Sequence, residues 1–379
     1  MFTRSHLRSK AISVCAKALV LQFLLTTSSY AFDEIITPYL SVRSVGMGGV
    51  ILTTGLYDEN FFNNPARITA NPENRFTLLQ MTPVEVSATT LSQISNITSN
   101  SSDPIAGVSQ GAGNNIHSRL QLILPAYYLR AKDDRKWALG IGMILSGQVN
   151  ANLRKSYNMD IGGIIDIGPA VTFGRKFLSD DSLSVGVTGH VTYRVATSPT
   201  YGLIDFVQGT PLSISAIAGQ GAMYDFDFGS TYKVGNLGDF DVNVAGAIQN
   251  ILGGGYSNLG FKPLSITATP LAQPRSVGFG GNFSRETWGY FSDSVLALEV
   301  RNIGNNTNGS LFRMIHLGTE THWKALAFRA GLNQGYYTLG FGIGFSHFTL
   351  DLASYGVEMG LNAGTLEDRR YTMNFGFHI

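Results

Sequence analysis

The residues best suited to chemistry are charged and lie late in the chain. His316, Glu320 and His322 alternate with Ile315, Leu317 and Thr319, so on an extended strand they share one face. Glu299 and Arg301 share a face of the preceding segment, Arg329 falls in the next one, and Asp351 lies further on. A two-residue turn at Trp323 and Lys324 places Arg329 opposite Gly318 and diagonal to His316 and Glu320, within reach of a guanidinium. Three chemistries compete for this set. Metal binding by His-x-x-x-Glu-x-His follows no established ligand spacing, and nothing supplies a fourth ligand. Hydrolysis needs a serine beside a histidine with an acidic or amide partner, and His117, His190, His347 and His378 read as loop or lumen residues. The third is a charged lining that contacts an inner segment or selects a solute, set against ion pairs that merely stabilise a polar interior. No metal, cofactor or covalent chemistry is implied.

These side chains need strands to hold them, and strands are what the chain offers. From Arg75 onward, segments alternate apolar and polar residues. In the last one Tyr371, Met373, Phe375, Phe377 and Ile379 share a face, against Thr372, Asn374, Gly376 and His378. The pattern predicts strands over 76–90, 116–130, 137–150, 158–175, 183–196, 221–234, 239–250, 273–284, 293–303, 313–322, 325–334, 336–346, 347–358 and 370–379, about fourteen in all. Connections at 91–115, 197–220 and 251–272 are long and the others short. Trp137, Trp288, Tyr290, Phe291, Trp323, Tyr336 and Tyr337 lie at strand ends, where membrane-interface girdles belong. Gly340, Gly342 and Gly344 leave the inner face of one strand without side chains, so another part of the chain can approach it closely. Pro169, next to Gly168, removes a ladder donor within 158–175, which implies a bulge, a later strand start or a gap in the wall.

Composition decides what such a sheet faces. Charged residues are 14% of the chain, against about 25% in ordinary soluble domains. Residues 1–31 have the basic, apolar and small-residue parts of a secretory signal. Their removal leaves 23 basic against 26 acidic residues, a net charge of −3, and takes away the only cysteine, Cys15. A nucleic-acid partner, disulfides and a thiol nucleophile are thereby excluded for the mature chain. Exported and charge-poor, without a run of about 18 apolar residues, the chain reads as all-β, a transmembrane antiparallel β-barrel among outer-membrane lipids. Residues 75–379 form the barrel.

Residues 32–74 precede the first strand and carry RSVGMGGVILTTGLYDENFFNNPA from Arg43 to Ala66. The stretch follows neither helix nor strand period and reads as a compact irregular plug. Its Gly46-Met47-Gly48-Gly49 lacks the third glycine and the strand–helix setting of a nucleotide fingerprint. Gly46, Gly48 and Gly49 permit positive φ and close approach, and Pro65 holds Asn64 extended.

The RSVGMGG…FFNNPA pair of elements resembles the N-terminal signature of the FadL-like outer-membrane superfamily, including its PorV and TraF-like branches. The stretch from Met314 to Phe345 resembles the late pattern of the PorV and TraF-like members. The resemblance implies a fourteen-strand bacterial outer-membrane barrel whose N-terminal hatch, 32–74, gates a lumen for hydrophobic or amphipathic small molecules. It assigns the hatch element to Arg43, Gly46, Gly48, Gly49, Asn64, Pro65 and Ala66. It also implies that the aromatic C-terminal strand is read by the barrel-assembly machinery, and that a wall interruption near Gly168 and Pro169 releases cargo sideways. The PorV-like branch implies a different role, a scaffold or shuttle engaging a secretion-complex partner through the long loops.

Overall fold

The structure is a computed structural model that describes residues 35–92, 115–153, 159–197, 200–201, 217–257, 263–305, 310–360 and 362–379. The signal-peptide segment and much of the three long connections lie outside the described residues. Strands run β1 (Arg75–Ser87), β2 (Asn115–Leu129), β3 (Trp137–Leu153), β4 (Met159–Phe177), β5 (Leu183–Thr197), β6 (Thr200–Tyr201), β7 (Ala218–Leu237), β8 (Phe240–Gln249), β9 (Ser276–Trp288), β10 (Phe291–Ile303), β11 (Ile315–Trp323), β12 (Leu326–Asn333), β13 (Tyr336–Gly344), β14 (Phe348–Glu358) and β15 (Glu367–His378). The two-residue β6 pairs only with the start of β4. The other fourteen form one antiparallel sheet that closes when β15 pairs with β1.

Closure leaves none of the fourteen with a wholly unpaired side, and the two-residue side-chain period sorts what faces out. On β7, Tyr224, Phe226 and Phe228 are 61%, 46% and 43% exposed, whereas Asp225 and Asp227 between them are 1% and 2% exposed. The apolar residues of the strands thus face outward, as lipid requires. Short turns at 130–136, 178–182, 238–239, 289–290, 324–325 and 345–347 share one end of the barrel, and the longest connections share the other. All three tryptophans stand at the short-turn rim, at the start of β3 and the ends of β9 and β11.

The hydrophobic core lies between the inner wall and residues 35–71. Tyr39, Ile51, Tyr57 and Phe61 cluster with Ile123, Ala126, Tyr128 and Ile144, Val42 and Val45 pack on Ala353, Tyr355 and Val357, and Leu52 packs on Ala245 and Ala247. A segment touching β2, β3, β8 and β14 of a closed ring lies within it. It includes one turn of α-helix, Val42–Gly46, capped where Ser41 accepts from the Ser44 amide. A single turn is too short to leave a helical period, which is why the stretch reads as irregular.

Three local expectations change. The β11–β12 turn is Lys324–Ala325, one residue later than expected, because Lys324 takes a left-handed φ of 56° and Trp323 stays in the ladder opposite Leu326. Arg329 therefore faces Glu320 directly. β4 runs through Pro169 with unbroken pairing to β3, and against β5 the ladder lapses only at Gly168 and Pro169 and resumes in the same register. A side chain at Gly168 would overlap the Val191 carbonyl, so the strands close the lapse by approaching rather than by inserting a residue. Proline-associated register shifts lie instead beside Pro83 on β1, against both neighbours, and beside Pro125 on β2, and further shifts occur without proline on β1, β7 and β10.

Candidate functional site

The inner segment approaches the wall where the wall has no side chains. Gly46 meets Gly340 so closely that a Cβ on either would lie 2.9 Å from the other's Cα. A side chain at Gly318 would overlap the Met47 carbonyl, one at Gly331 the Gly48 backbone, one at Gly186 the Pro65 carbonyl, and one at Gly174 the Ile68 side chain. Glycines from β4, β5, β11, β12 and β13 therefore admit the segment. Gly48 and Gly49 take φ of 74° and 84°, which turns the chain along the wall.

Asn64, Pro65 and Ala66 form a second anchor. Asn64 is extended at φ −126°, as the following proline requires, and its Oδ1 caps the 3-10 turn Pro65–Ala70 by accepting from the Ala66 amide at 3.1 Å. Its Nδ2 donates to the Leu52 carbonyl at 2.7 Å, which ties the two halves of the segment together. Gly229 on β7 leaves the space that this side chain fills.

Six of the seven late charged residues form the grip, and all six reach the segment directly or through one another. Arg43 donates to Glu320 from Nε at 2.9 Å and Nη2 at 2.7 Å, and to Glu59 at 3.0 Å. Arg329 donates to the same Glu320 at 2.5 Å and to Asp351 at 2.6 Å, so one carboxylate lies between two guanidiniums. Glu299 is fully buried and accepts from the backbone amides of Ile51, Leu52 and Thr53 at 2.9–3.0 Å and from the Thr53 hydroxyl. Arg301 donates to the Gly49 carbonyl and, at 2.8 Å, to Asn63. His316 Nδ1 lies 2.9 Å from the Gly48 carbonyl, which makes it the protonated ring nitrogen. His322 is the exception: it lines a cavity, and among the described residues its Nδ1 has no hydrogen-bond partner. No group of three or more described His, Cys, Asp or Glu residues could hold a metal ion.

Asp58 differs from Glu320 and Asp351 because its side-chain hydrogen-bond partners are neutral, and from Glu299 because no row of backbone amides converges on it. It accepts from the Tyr39 hydroxyl at 2.5 Å and from Gln80 at 2.7 Å. Burial, reinforced by the neighbouring Glu59, pushes its pKa up to about 6. Glu59, by contrast, is paired with Arg43 and accepts from the Leu56 amide.

Two cavities flank the segment and share no lining residue. One of about 260 Å³, near the long connections, is bounded by Ile36, Ile164, Arg194, Ala196, Ala218 and Leu271. The other, about 280 Å³ and near the short turns, is polar and bounded by residues including Arg43, Asp58, His322, Arg329 and Asp351.

Sequence reasoning missed a second buried network. His117 Nε2 meets Glu85 at 2.7 Å and its Nδ1 meets Asn150 at 2.6 Å, while the Tyr355 hydroxyl donates to Glu85 at 2.8 Å. The alternation of His117, Arg119 and Gln121 with Ile116, Leu120 and Leu122 places His117 inward, but the shift at Pro83 moves the inward residues of β1 from Thr82 to Glu85 and conceals its partner. The chain also contains one Gly-x-Ser-x-Gly, Gly107 to Gly111, outside the described residues. Asp103-Pro104 lies shortly before it, so the sequence lacks the apolar run that leads into a nucleophile elbow.

The molecule is thus an outer-membrane type of β-barrel, fourteen antiparallel strands around an N-terminal segment. No protein-family model and no curated protein sequence matches the chain. Among solved structures it is similar to the CymD monoaromatic hydrocarbon channel, at 12% identity and a TM-score of 0.50 over 92% of this chain and 98% of that one. The toluene transporter TbuX of Ralstonia pickettii matches at 11% identity and 0.49 over 89% and 97%, and TodX of P. putida at 12% and 0.44 over 88% and 96%. The chain has the FadL-like barrel fold, and at these identities the likeness is one of fold.

Proposed function

We propose that this chain is a bacterial outer-membrane channel for hydrophobic or amphipathic small molecules, exported by its N-terminal signal and gated by residues 32–74 acting as a hatch. The observation that carries this reading is the position of the segment between two separate cavities, the first with several aliphatic residues in its lining and the second polar. A solute crossing the lumen has to displace the hatch, and the Arg43–Glu320 pair opposes that displacement. The fold shared with CymD supports the reading. The short-turn rim faces the periplasm, and the long connections face outward.

Uptake of the apolar fluorophore N-phenylnaphthylamine by cells with and without the protein tests the proposal. The expected result is faster uptake with the protein, and faster still with Arg43→Ala. Equal uptake by cells with and without the protein overturns it.

A further inference from the structure

β7 is twice as long as the strand beside it. It spans 218–237, but β8 pairs with it only from Phe228 to Leu237. The upper edge of β7 is sealed by non-strand chain: Ile251 donates to the Phe226 carbonyl at 3.0 Å, Ala222 and Ser257 exchange two bonds of 2.9 Å, and the Gln220 amide donates to Ala268 at 2.9 Å. Asp225 fastens this chain from inside, accepting from the amides of Leu252 and Gly254 at 2.8 and 2.9 Å.

Residues 263–275 cross from one face of the wall to the other. Gln220 has the outward parity of Tyr224 and Phe226, yet it is only 1% exposed. Leu264 and Ile266 cover it; its Nε2 donates to both of their carbonyls, and its Oε1 accepts from the Leu264 amide and, at 2.6 Å, the Tyr193 hydroxyl. On the inward face, a side chain at Gly219 would lie 2.5–2.6 Å from the Thr269–Pro270 backbone. Further along, Gln273 donates to the Ile36 carbonyl at 3.0 Å. Ala268 to Leu271 then form one side of the 260 Å³ cavity. Apolar packing of the strap is confined mainly to Ile266, which is 3% exposed, whereas Leu264 and Leu271 are 43% and 48% exposed. A segment held by polar contacts with little buried apolar area opens before the strands around it.

We infer that residues 263–275 are a displaceable strap that opens the 260 Å³ cavity at the upper edge of β7, beyond the reach of β8, and that Gln220 is the positioning residue that latches it. This deepens the channel reading and rests on it. It also locates the removable part of the wall away from Gly168 and Pro169, where the strands are too close to part without breaking the ladder.

A single cysteine at Ala218, buried and lining the cavity, reports opening, because the mature chain otherwise has no thiol. Its labelling rate by N-ethylmaleimide is measured in outer membranes with Gln220 intact, with Gln220→Ala, and with Thr188→Val. The last removes the buried Thr172–Thr188 bond of the wall, at 2.7 Å, and does not touch the strap. The expected result is labelling about tenfold faster in Gln220→Ala and unchanged in Thr188→Val. Equal rates with and without Gln220, or an equal rise in both variants, overturns the strap. Uptake of N-phenylnaphthylamine by the same variants separates the two readings: labelling that responds while no variant takes up the probe faults the channel, and uptake with unresponsive labelling faults the strap.

Discussion

Along β10 and β11, charged and histidine side chains grip the inner segment: Glu299 takes three of its amides, Arg301 and His316 take carbonyls, and Glu320 takes Arg43. Along β2 to β5 the same segment has fewer hydrogen bonds, Gln121 with both backbone groups of Leu40, Arg119 with the Thr37 carbonyl and Thr69 with Ser184, and otherwise lies on apolar surface and glycine. Phe61 stacks on Tyr128 at 5.4 Å and fills the space left by Gly140 and Gly142, and Ile68 presses on Gly174. Charged hydrogen bonds are directional and lose most of their worth over an ångström or two, whereas apolar contact tolerates sliding. The segment is therefore fixed on its late flank and permissive on its early one. The 260 Å³ cavity borders the permissive side, lined by β3, β4, β5 and β7.

The contrast is broken most severely at Glu320. Glu320→Ala removes the carboxylate between the Arg43 and Arg329 guanidiniums, which keep Glu59 and Asp351, and costs about 3 kcal/mol, the lower end for a broken buried pair because both border the polar cavity. The expected outcome is release of the segment with the barrel intact, seen as protease cleavage within 35–74 while the strands keep their resistance to denaturant. Glu320→Gln retains hydrogen-bond acceptance and loses less. Unchanged cleavage in Glu320→Ala removes the late flank from the fastening.

Much of this flank is legible in the sequence, because β11, β12 and β13 are short and pair with one another without a register shift. Alternation alone sorts His316 and Glu320 from Leu317 and Thr319, and of the β13 glycines Gly340 admits the segment, whereas Gly342 is filled by Arg329 and Asp351 and Gly344 stays open. The exact pairing was not legible: which residue of Trp323-Lys324-Ala325 turns the chain depends on the left-handed backbone of Lys324, a choice that hydrophobic pattern does not constrain. On the early side pattern fails for a different reason. Pro83 and Pro125 shift registers where the apolar run continues, so Glu85 cannot be matched to His117 by counting. Gln220 carries a signal of its own, a polar residue at a lipid-facing position, but what covers it comes from some forty residues further on.

The early flank is sharpened by Phe61→Ala, expected to cost about 3 kcal/mol, at the lower end for a buried aromatic because the segment can relax toward the void. Retained attachment is the informative outcome: the late-flank ion pairs keep 35–74 protected from protease, while the emptied site beside Tyr128 takes up small aromatic solutes such as toluene, measurable by saturation-transfer NMR in detergent. Cleavage as extensive as in Glu320→Ala contradicts the division between the flanks.

The smallest effect tests the boundary between them, at Asp58. Its pKa in the packed state is raised from 3.8 to about 6, mainly by burial, so the packed segment binds this proton more tightly than the released one does. The sign follows: attachment is strongest below about pH 4, weakens as pH rises from about 4 to about 6, and is level above that. Full linkage corresponds to about 3 kcal/mol, and access of the polar cavity to Asp58 reduces this to about 1–2 kcal/mol. Amide hydrogen exchange across 39–61, corrected for intrinsic rates, is therefore expected to accelerate over that interval in the native protein. Asp58→Asn keeps the acceptor for Tyr39 and Gln80 and carries no charge, so its exchange stays level over the same range. A native profile as flat as that of Asp58→Asn shows the carboxylate to be compensated by charge after all, and a candidate is Arg75, which borders the same cavity and stacks on Tyr57 at 3.6 Å. Asp58 would then belong with Glu320 on the side of the molecule that grips.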